Sequence, residues 1–361
     1  MKLTAQVKLL PTPTQAQSLC DTLERANGAC NHIAAWAWEH QVFGQWSLHR
    51  ALYYEVREQF GLSAQVTVRA IAKVADAYKL NRNRQRTFRP TGAIAYDERI
   101  LRWLMADSAV SIWTLAGRQT IPFVCGERQR KLLATQQGES DLALLDGKWY
   151  LFATCNVEEP EYIDVVGVLG CDLGIVNILA DSDGKTYSGS QVNGLRRRHR
   201  RLRQRLQSKG SKAAWRLLKR RSGKEARFAK DVNHRISKQV VQTAQGTGRA
   251  IALEELGGIR DRVTVRRGQR ATLHSWSFFQ LRAFIEYKAK LAGVPVIPVD
   301  PRNTSRTCPV CGCIDKANRC TQASFLCVSC GYSGPADTIA AGNIASRAAV
   351  SRPHFSATLV G

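Results

Sequence analysis

The order of apolar runs in the second half of the chain restricts its folding more than any other feature. "EEPEYID" (158–164) is an acidic, proline-containing linker and reads as the main domain boundary. After it, "VVGVLGCD", "VNILADS" and "GKTYSG" follow one another as three short antiparallel strands. A long, strongly basic helical stretch comes next. "RAIALEEL" (249–256) is then another strand and "HSWSFFQLRAFIEYKAKLAG" (274–293) an amphipathic helix. "VPVIPVD" is a last strand, and after a cysteine-rich insert "ADTIAAGNIASRAAV" (336–350) closes the pattern as a small-residue helix.

Three strands followed by helix, strand, helix, strand, helix is the order of the RNase H-like fold, an α/β architecture. Acids stand at telling places on it. Asp172 ends the first strand, Glu254 ends the fourth, and Asp337 opens the last helix. Burying carboxylates side by side is costly unless cations neutralise them. Mg²⁺ favours carboxylate oxygens plus water. Two such ions about 4 Å apart can activate a water and stabilise a leaving oxygen in phosphodiester hydrolysis. Any one of these acids alone reads as a turn residue or helix cap, so the combination carries the chemistry. Glu255 rivals Glu254, because strand alternation puts the two on opposite faces. Glu254 is preferred because it follows the apolar run directly.

Cysteine use is uneven: 11 in the chain, six of them between Cys308 and Cys330. That argues for a metal site in a reducing compartment, not a disulfide framework. "CPVCG" (Cys308, Cys311) and "CVSCG" (Cys327, Cys330) are two knuckles with 15 residues between them, the spacing of a four-cysteine zinc ribbon. Four thiolates leave no open position, so this Zn²⁺ is expected to be structural. Cys313 and Cys320 are read as small residues without a ligand role, and the five other cysteines as core or boundary residues.

The chain holds 53 Lys+Arg against 29 Asp+Glu, a formal charge of +24, which implies a polyanionic partner. The charge is clustered: residues 194–230 contain 16 Lys+Arg and one Glu. Leu195, Leu202 and Leu206 give this segment a narrow apolar stripe. A phosphate-tracking helix is therefore expected, with a merely solvated face as the alternative. Arg196, Arg197, Arg200, Arg201, Arg203, Lys219 and Arg220 are the candidate contacts. No signal-peptide pattern is visible, and no apolar run approaches the ~18 residues of a membrane span. A cytoplasmic protein without membrane partners is expected.

In the N-terminal half, residues 3–10 alternate as a strand. Residues 11–43 read as a helix with Thr14 as a plausible cap and Leu19, Leu23, Ala26 and Cys30 on one face. Further helices are expected over 48–60 and 64–80. From 94 to 157 short β-like runs alternate with turns, as in a small antiparallel barrel that the first strand could join.

The ordered set "GCDLGIVNILA", "IALEELGGI", "LHSWSFFQLRAFIEYKAKLAGVPVIPVDPRNTSRTCPVCG", "LCVSCGYSGPAD" and "AAGNIA" resembles the TnpB (OrfB) family. These are RNA-guided endonucleases of bacterial insertion sequences, similar to the type V CRISPR effectors. "VKLLPTPTQAQSLCDTLERANGACN" also resembles the opening strand and helix of that family. The resemblance spans nearly the whole chain and is most specific over 249–345. It implies a wedge-type β-barrel (1–12 and 93–160) with an inserted helical recognition domain (13–92). It also implies a RuvC nuclease domain over 161–303 with a basic helical insert at 194–240, a zinc ribbon at 304–334, a last nuclease helix at 335–350, and a flexible tail at 351–361. The implied activity is Mg²⁺-dependent cutting of double-stranded target DNA in one RuvC site, with two ions on Asp172, Glu254 and Asp337. The implied partners are a guide RNA transcribed from the end of the element and DNA carrying a short flanking motif, with a monomer on one guide. Motif reading is assigned near Gln65, Arg69 and Lys73. One departure is Ile339, where the family has asparagine two positions after the last acid. Two other readings are a guided protein that blocks DNA without cutting it and a dimeric junction resolvase.

Overall fold

Strand β1 (Lys2–Leu9) is the middle strand of a seven-stranded antiparallel sheet in a computed structural model that describes residues 1–255 and 278–350. The other strands are β2 (Ile94–Tyr96), β3 (Leu101–Leu104), β4 (Ala109–Thr114), β5 (Gly117–Val124), β6 (Gln136–Leu145) and β7 (Lys148–Asn156). Their order is β2-β6-β7-β1-β5-β4-β3. The two edge strands, β2 and β3, are joined only by residues 97–100. Five Cα steps span at most about 19 Å, so the sheet must curl until its edges almost meet. The Tyr96 hydroxyl crosses that gap and donates to the Trp113 carbonyl at 3.2 Å. The first strand thus joins the barrel-like sheet, as its alternation suggested.

Between β1 and β2 the chain forms helices α1 (Pro13–Glu39), α2 (Gln45–Phe60) and α3 (Ala64–Leu80). The cap of α1 is Thr12, not Thr14. The Thr12 hydroxyl accepts the Gln15 amide while the Gln15 side chain accepts the Thr12 amide, and Pro13 takes the first helical position, where no N–H is needed. Leu19, Leu23, Ala26 and Cys30 are fully buried, as their spacing requires. A short helix, α4 (Glu127–Leu133), was not anticipated.

The chain divides into two compact units, Met1–Glu158 and Glu159–Gly361. The second is built on a five-stranded sheet: β8 (Gly167–Asp172), β9 (Asn177–Asp181), β10 (Thr186–Ser188), β11 (Arg249–Glu254) and β12 (Val296–Val299), in the order β10-β9-β8-β11-β12. The first three are antiparallel, while β11 runs parallel to both β8 and β12. The expected basic stretch is three helices, α5 (Ser190–Lys209), α6 (Lys212–Arg221) and α7 (Lys224–Gly246), interrupted at Gly210 and Gly223. Ser211 caps α6 by accepting the Ala214 amide at 3.2 Å. Helix α8 is described as Phe278–Leu291, so residues 274–277 of the expected helix lie outside the described residues. Helix α9 is Ala336–Val350, and the tail expected at 351–361 also lies outside them.

The two faces of this sheet differ in side-chain size. Leu169, Cys171, Ile251 and Leu253 point to one face and pack with Val240 of α7 and Leu281 and Ile285 of α8. Gly170, Ala250 and Ala252 occupy the other, under α9, where Ile344 and Ala348 meet Ile297 and Val299. At Gly170 the reason is steric: a Cβ there would lie 2.0 Å from the Ala341 carbonyl oxygen. The backbone of α9 rests on the strand. Among the described residues, no helix is long and apolar enough to cross a membrane.

Candidate active site

Strand register sets the first two acids. Leu253 is paired with Cys171 in the parallel β8–β11 ladder. One residue further, Glu254 and Asp172 therefore leave the sheet at the same level. Alternation puts both on the face of Gly170, Ala250 and Ala252. Helix α9 brings the third. Ala341 lies on Gly170, and Asp337 is one turn earlier on the same side of the helix. Four helical residues rise about 6 Å and two strand residues about 6.6 Å, so Asp337 is carried back to the level of Asp172. Glu255 points the other way. Its carboxylate meets Arg282 of α8 at 2.8 Å, and the same arginine donates to the Glu254 carbonyl.

The electrostatics follow from this crowding. Burial, then the neighbouring Glu254 and Asp337 charges, push the Asp172 carboxyl up to about 7, against a smaller downward pull from Arg319. Burial also raises Glu254, partly offset by a hydrogen bond from Thr304. Each acid has a protein donor: the Thr304 hydroxyl for Glu254, the Asn177 amide for Asp337 at 2.9 Å, and the Leu173 backbone N–H for Asp172. Arg319, from the cysteine-rich insert, reaches Asp337 at 3.3 Å. Sequence reasoning missed Arg319, Asn177 and Thr304, because none stands in a spacing that marks a site. They become visible only once α9 and the insert fold onto the strand ends.

A raised carboxyl has a consequence for stability. In its unfolded form Asp172 ionises near about pH 4, whereas the folded group ionises at about 7. Without divalent cations its contribution is fully present below the first value and lost as pH rises through the second. Asp172→Asn cannot ionise. In magnesium-free buffer its melting temperature should exceed that of the wild type at pH 8, with the difference closing as pH falls from 7 to 4. Parallel pH profiles for the two proteins would refute the crowding.

The four knuckle cysteines converge as expected. Their sulfurs all lie within 4.8 Å of one another, the only such group of His, Cys, Asp or Glu ligand atoms among the described residues. Cys308 and Cys330 are 3.6 Å apart, Cys311 and Cys327 3.5 Å. A tetrahedron with ~2.3 Å metal–sulfur bonds has edges of about 3.8 Å, so the cluster fits zinc. The knuckles are built alike. Gly312 and Gly331 follow the second cysteine of each with φ of +73°, and their amides return to the Cys308 and Cys327 carbonyls. Backbone N–H groups of Cys330 and Ser329 lower the Cys327 thiol, favouring the thiolate a metal requires. Asn318, fully buried, ties the knuckles together by donating to Arg306 and Cys313 and accepting from Val328. Strands β13 (Ser324–Leu326) and β14 (Ser333–Pro335) complete the insert. Ile339, at the family's asparagine position, is buried here with Phe325, Cys308 and Cys327. Cys313 packs at the edge of that cluster, and Cys320 is exposed.

The basic residues separate into two groups. Glu225, the one acid of the segment, faces Arg196 at 3.5 Å, Arg203 at 3.7 Å and His199 at 4.0 Å. Arg196 is only 12% exposed, and burial lowers its pKa. It holds α5 against α7 and is poorly placed to meet a phosphate. Arg197, Arg200, Arg201, Lys219 and Arg220 are exposed, and Arg197 and Arg201 line a groove of about 470 Å³ with Ser190 and Gly194. In the other unit, Gln65, Arg69 and Lys73 are engaged internally. Gln65 and Arg69 hold Asp97, Arg69 also holds Glu139, and Lys73 donates to Asn27 and the Ala93 carbonyl.

Comparison with known proteins agrees with this architecture. Residues 278–344 match the family model "Cas12f1-like, TNB domain". The chain is 34% identical over 217 residues to the CRISPR-associated endodeoxyribonuclease Cas12f1 of Sulfoacidibacillus thermotolerans, covering 55% of this chain and 50% of that one. It is 32% identical over 189 residues to a TnpB-like protein of Methanocaldococcus jannaschii, covering 49% of this chain and 67% of that one. Among solved structures it is similar in fold to Cas12f1 in the cryo-EM structure of a Cas12f1–sgRNA–target DNA complex. The TM-score is 0.59 at 14% identity, over 91% of this chain and 83% of that one. The chain thus spans half the length of the Cas12f1 relative.

Proposed function

The chain belongs to the TnpB family, related to the type V CRISPR effectors, and on that premise we propose that it is an RNA-guided DNA endonuclease. The observation that carries this reading is that Asp172 and Glu254 leave neighbouring parallel strands at one level and that the Glu254 and Asp337 charges both act on the buried Asp172 carboxyl. A sheet of three antiparallel strands extended by two parallel ones supports an RNase H-like domain of the RuvC type. The curled seven-stranded sheet with three helices between its first two strands in sequence supports a wedge barrel carrying a recognition domain. The domain limits proposed are those expected from the sequence.

In this reading Asp172, Glu254 and Asp337 hold two Mg²⁺ ions. A desolvated group of like charges is the donor set that hard divalent cations satisfy. Bound there, the cations would supply activation of a water and stabilisation of the leaving oxygen in phosphodiester hydrolysis. The protein's own residues set the stage. Thr304 and Asn177 donate hydrogen bonds to Glu254 and Asp337, and Arg319 offsets part of the negative charge. Cys308, Cys311, Cys327 and Cys330 hold one structural Zn²⁺, and the ribbon seats the start of α9. Guide pairing reads the target sequence while the protein reads duplex shape and a short flanking motif. We assign motif reading to the unit 1–158, where Gln65, Arg69 and Lys73 would exchange internal partners for DNA.

The test is cleavage by protein co-expressed with RNA from the element's end. Sequenced co-purifying RNA should define a guide, and plasmids with randomised flanks should be cut in Mg²⁺ next to one short motif. Guided binding without cutting in any divalent cation would replace this reading by a blocking protein. Cutting of four-way junctions without RNA would replace it by a resolvase.

The basic helices give a further expected result. Reversing Arg197, Arg200 and Arg201 to Glu should weaken guide-RNA binding. It should also flatten its salt dependence by roughly 0.7 to 0.9 log units per lost phosphate contact, with the flanking motif unchanged. Unchanged affinity and slope in a salt titration would make the segment a solvated face. A changed motif would move motif reading into this unit.

A further inference from the structure

We propose that Thr304 is the positioning residue for Glu254, and that α9 holds it in place through Asn343. The inference rests on the reading of Glu254 as a cation ligand. Thr304 lies in the stretch between β12 and the first knuckle, which is neither strand nor helix through residue 306. The residue is nevertheless only 2% exposed. The hydroxyl has one hydrogen and two acceptors within reach: Oε1 of Glu254, and the Pro301 carbonyl at 3.1 Å. A carboxylate is the stronger acceptor, so the hydrogen goes to Glu254.

The loop is fixed from two sides. Within it, the Asn303 carbonyl accepts from the Arg306 and Thr307 amides and from the Thr307 hydroxyl. From outside, Asn343 spends both amide hydrogens on the carbonyls of Thr304 and Thr307, each at 2.8 Å. One turn further along α9, Arg347 donates to the Asp300 and Arg302 carbonyls. The helix whose first turn presents Asp337 therefore also sets, through this loop, the hydroxyl that orients Glu254.

The contrast with Glu255 gives the arrangement its chemical sense. Glu255 is neutralised by a guanidinium, Arg282 at 2.8 Å. Glu254 receives a neutral donor on one oxygen. The hydroxyl orients one carboxylate oxygen without forming an ion pair, so that the other can take a cation.

The experiment measures Mn²⁺ binding by electron paramagnetic resonance on guide-loaded protein without DNA, alongside Mg²⁺-dependent cleavage. Thr304→Val keeps the shape and removes the hydroxyl. It should weaken Mn²⁺ binding about tenfold, the low end of what losing a residue behind a metal ligand costs. It should raise the Mg²⁺ concentration for half-maximal cutting by a similar factor, with most of the rate recovered at saturation. Thr304→Ser should bind within about twofold of the wild type, since it restores the donor. Thr304→Ala serves as a second deletion of the hydroxyl should the valine variant lose zinc or melt early. Glu254→Gln is run in parallel. If it loses Mn²⁺ while Thr304→Val and Thr304→Ala bind as the wild type does, the positioning role is wrong and the metal-site reading stands. If Glu254→Gln also binds as the wild type does, the metal-site reading falls, and this inference with it.

Discussion

Asp172→Ala should abolish target cleavage, by at least about 10³-fold, while guide RNA and DNA are still bound. The argument is one of differential stabilisation. A divalent cation at a phosphodiester supplies several kcal/mol in the transition state, and each 1.4 kcal/mol is tenfold in rate. Asp172 is the best placed to hold it, because its carboxyl is buried and the charges of both other acids act on it. It makes no contact that would bind nucleic acid, and its replacement relieves repulsion in the metal-free fold. Glu254→Ala and Asp337→Ala should behave likewise. Glu255→Ala should still cut, because Glu255 faces Arg282 on the far side of the sheet, its own carboxylate is half exposed, and Arg282 keeps Glu286 and the Glu254 carbonyl as partners. Single-turnover cleavage beside equilibrium binding checks all four. Cutting by Glu254→Ala with loss in Glu255→Ala would reverse the choice between the two glutamates.

That choice shows how much of the site was legible. The order of apolar runs named the strands of the second unit, and alternation separated Glu254 from Glu255 because a strand has only two faces. Helix α9 was legible as a helix, and Asp337 as an acid of its first turn. What one-dimensional pattern does not carry is depth. The rest of α9 on Gly170 depends on the missing Cβ of a residue that reads simply as part of an apolar run. The same limit hid Thr304, Asn343 and Arg319, which act across 50, 39 and 18 residues of sequence. It also blurred the basic segment, where charge alone could not tell Arg196, drawn inward by Glu225, from its exposed neighbours. Thr12 displaced Thr14 as a cap for a local reason: Pro13 and Gln15 complete the capping box only from that position.

Replacing Cys308 by Ser should remove zinc and, with it, cleavage, although the residue lies outside the acid cluster. The four thiolates close a loop from Cys308 to Cys330 whose other apolar content is small: Phe325, with Ala336 and Ile339 of α9. Such an insert cannot fold on burial alone, and binding of a structural zinc supplies about 10–16 kcal/mol in comparable small domains. Two of the residues that line the insert's core flank Asp337, one before it and one two after. Loss of the metal therefore frees the first turn of α9 and also releases Arg319 from its place near the carboxylate. Ile339 makes this coupling tighter than a polar residue there would, because its side chain is buried in the ribbon. The expected result is one zinc per wild-type chain by elemental analysis and none in Cys308→Ser. Cleavage should fall by roughly two orders of magnitude or more, equivalent to about 3 kcal/mol of lost transition-state stabilisation. Guide binding by the exposed arginines of α5 should persist. Freshly purified wild-type protein without zinc would remove the premise. Full cleavage by a zinc-free variant would show that α9 holds Asp337 in place on its contact with β8 alone.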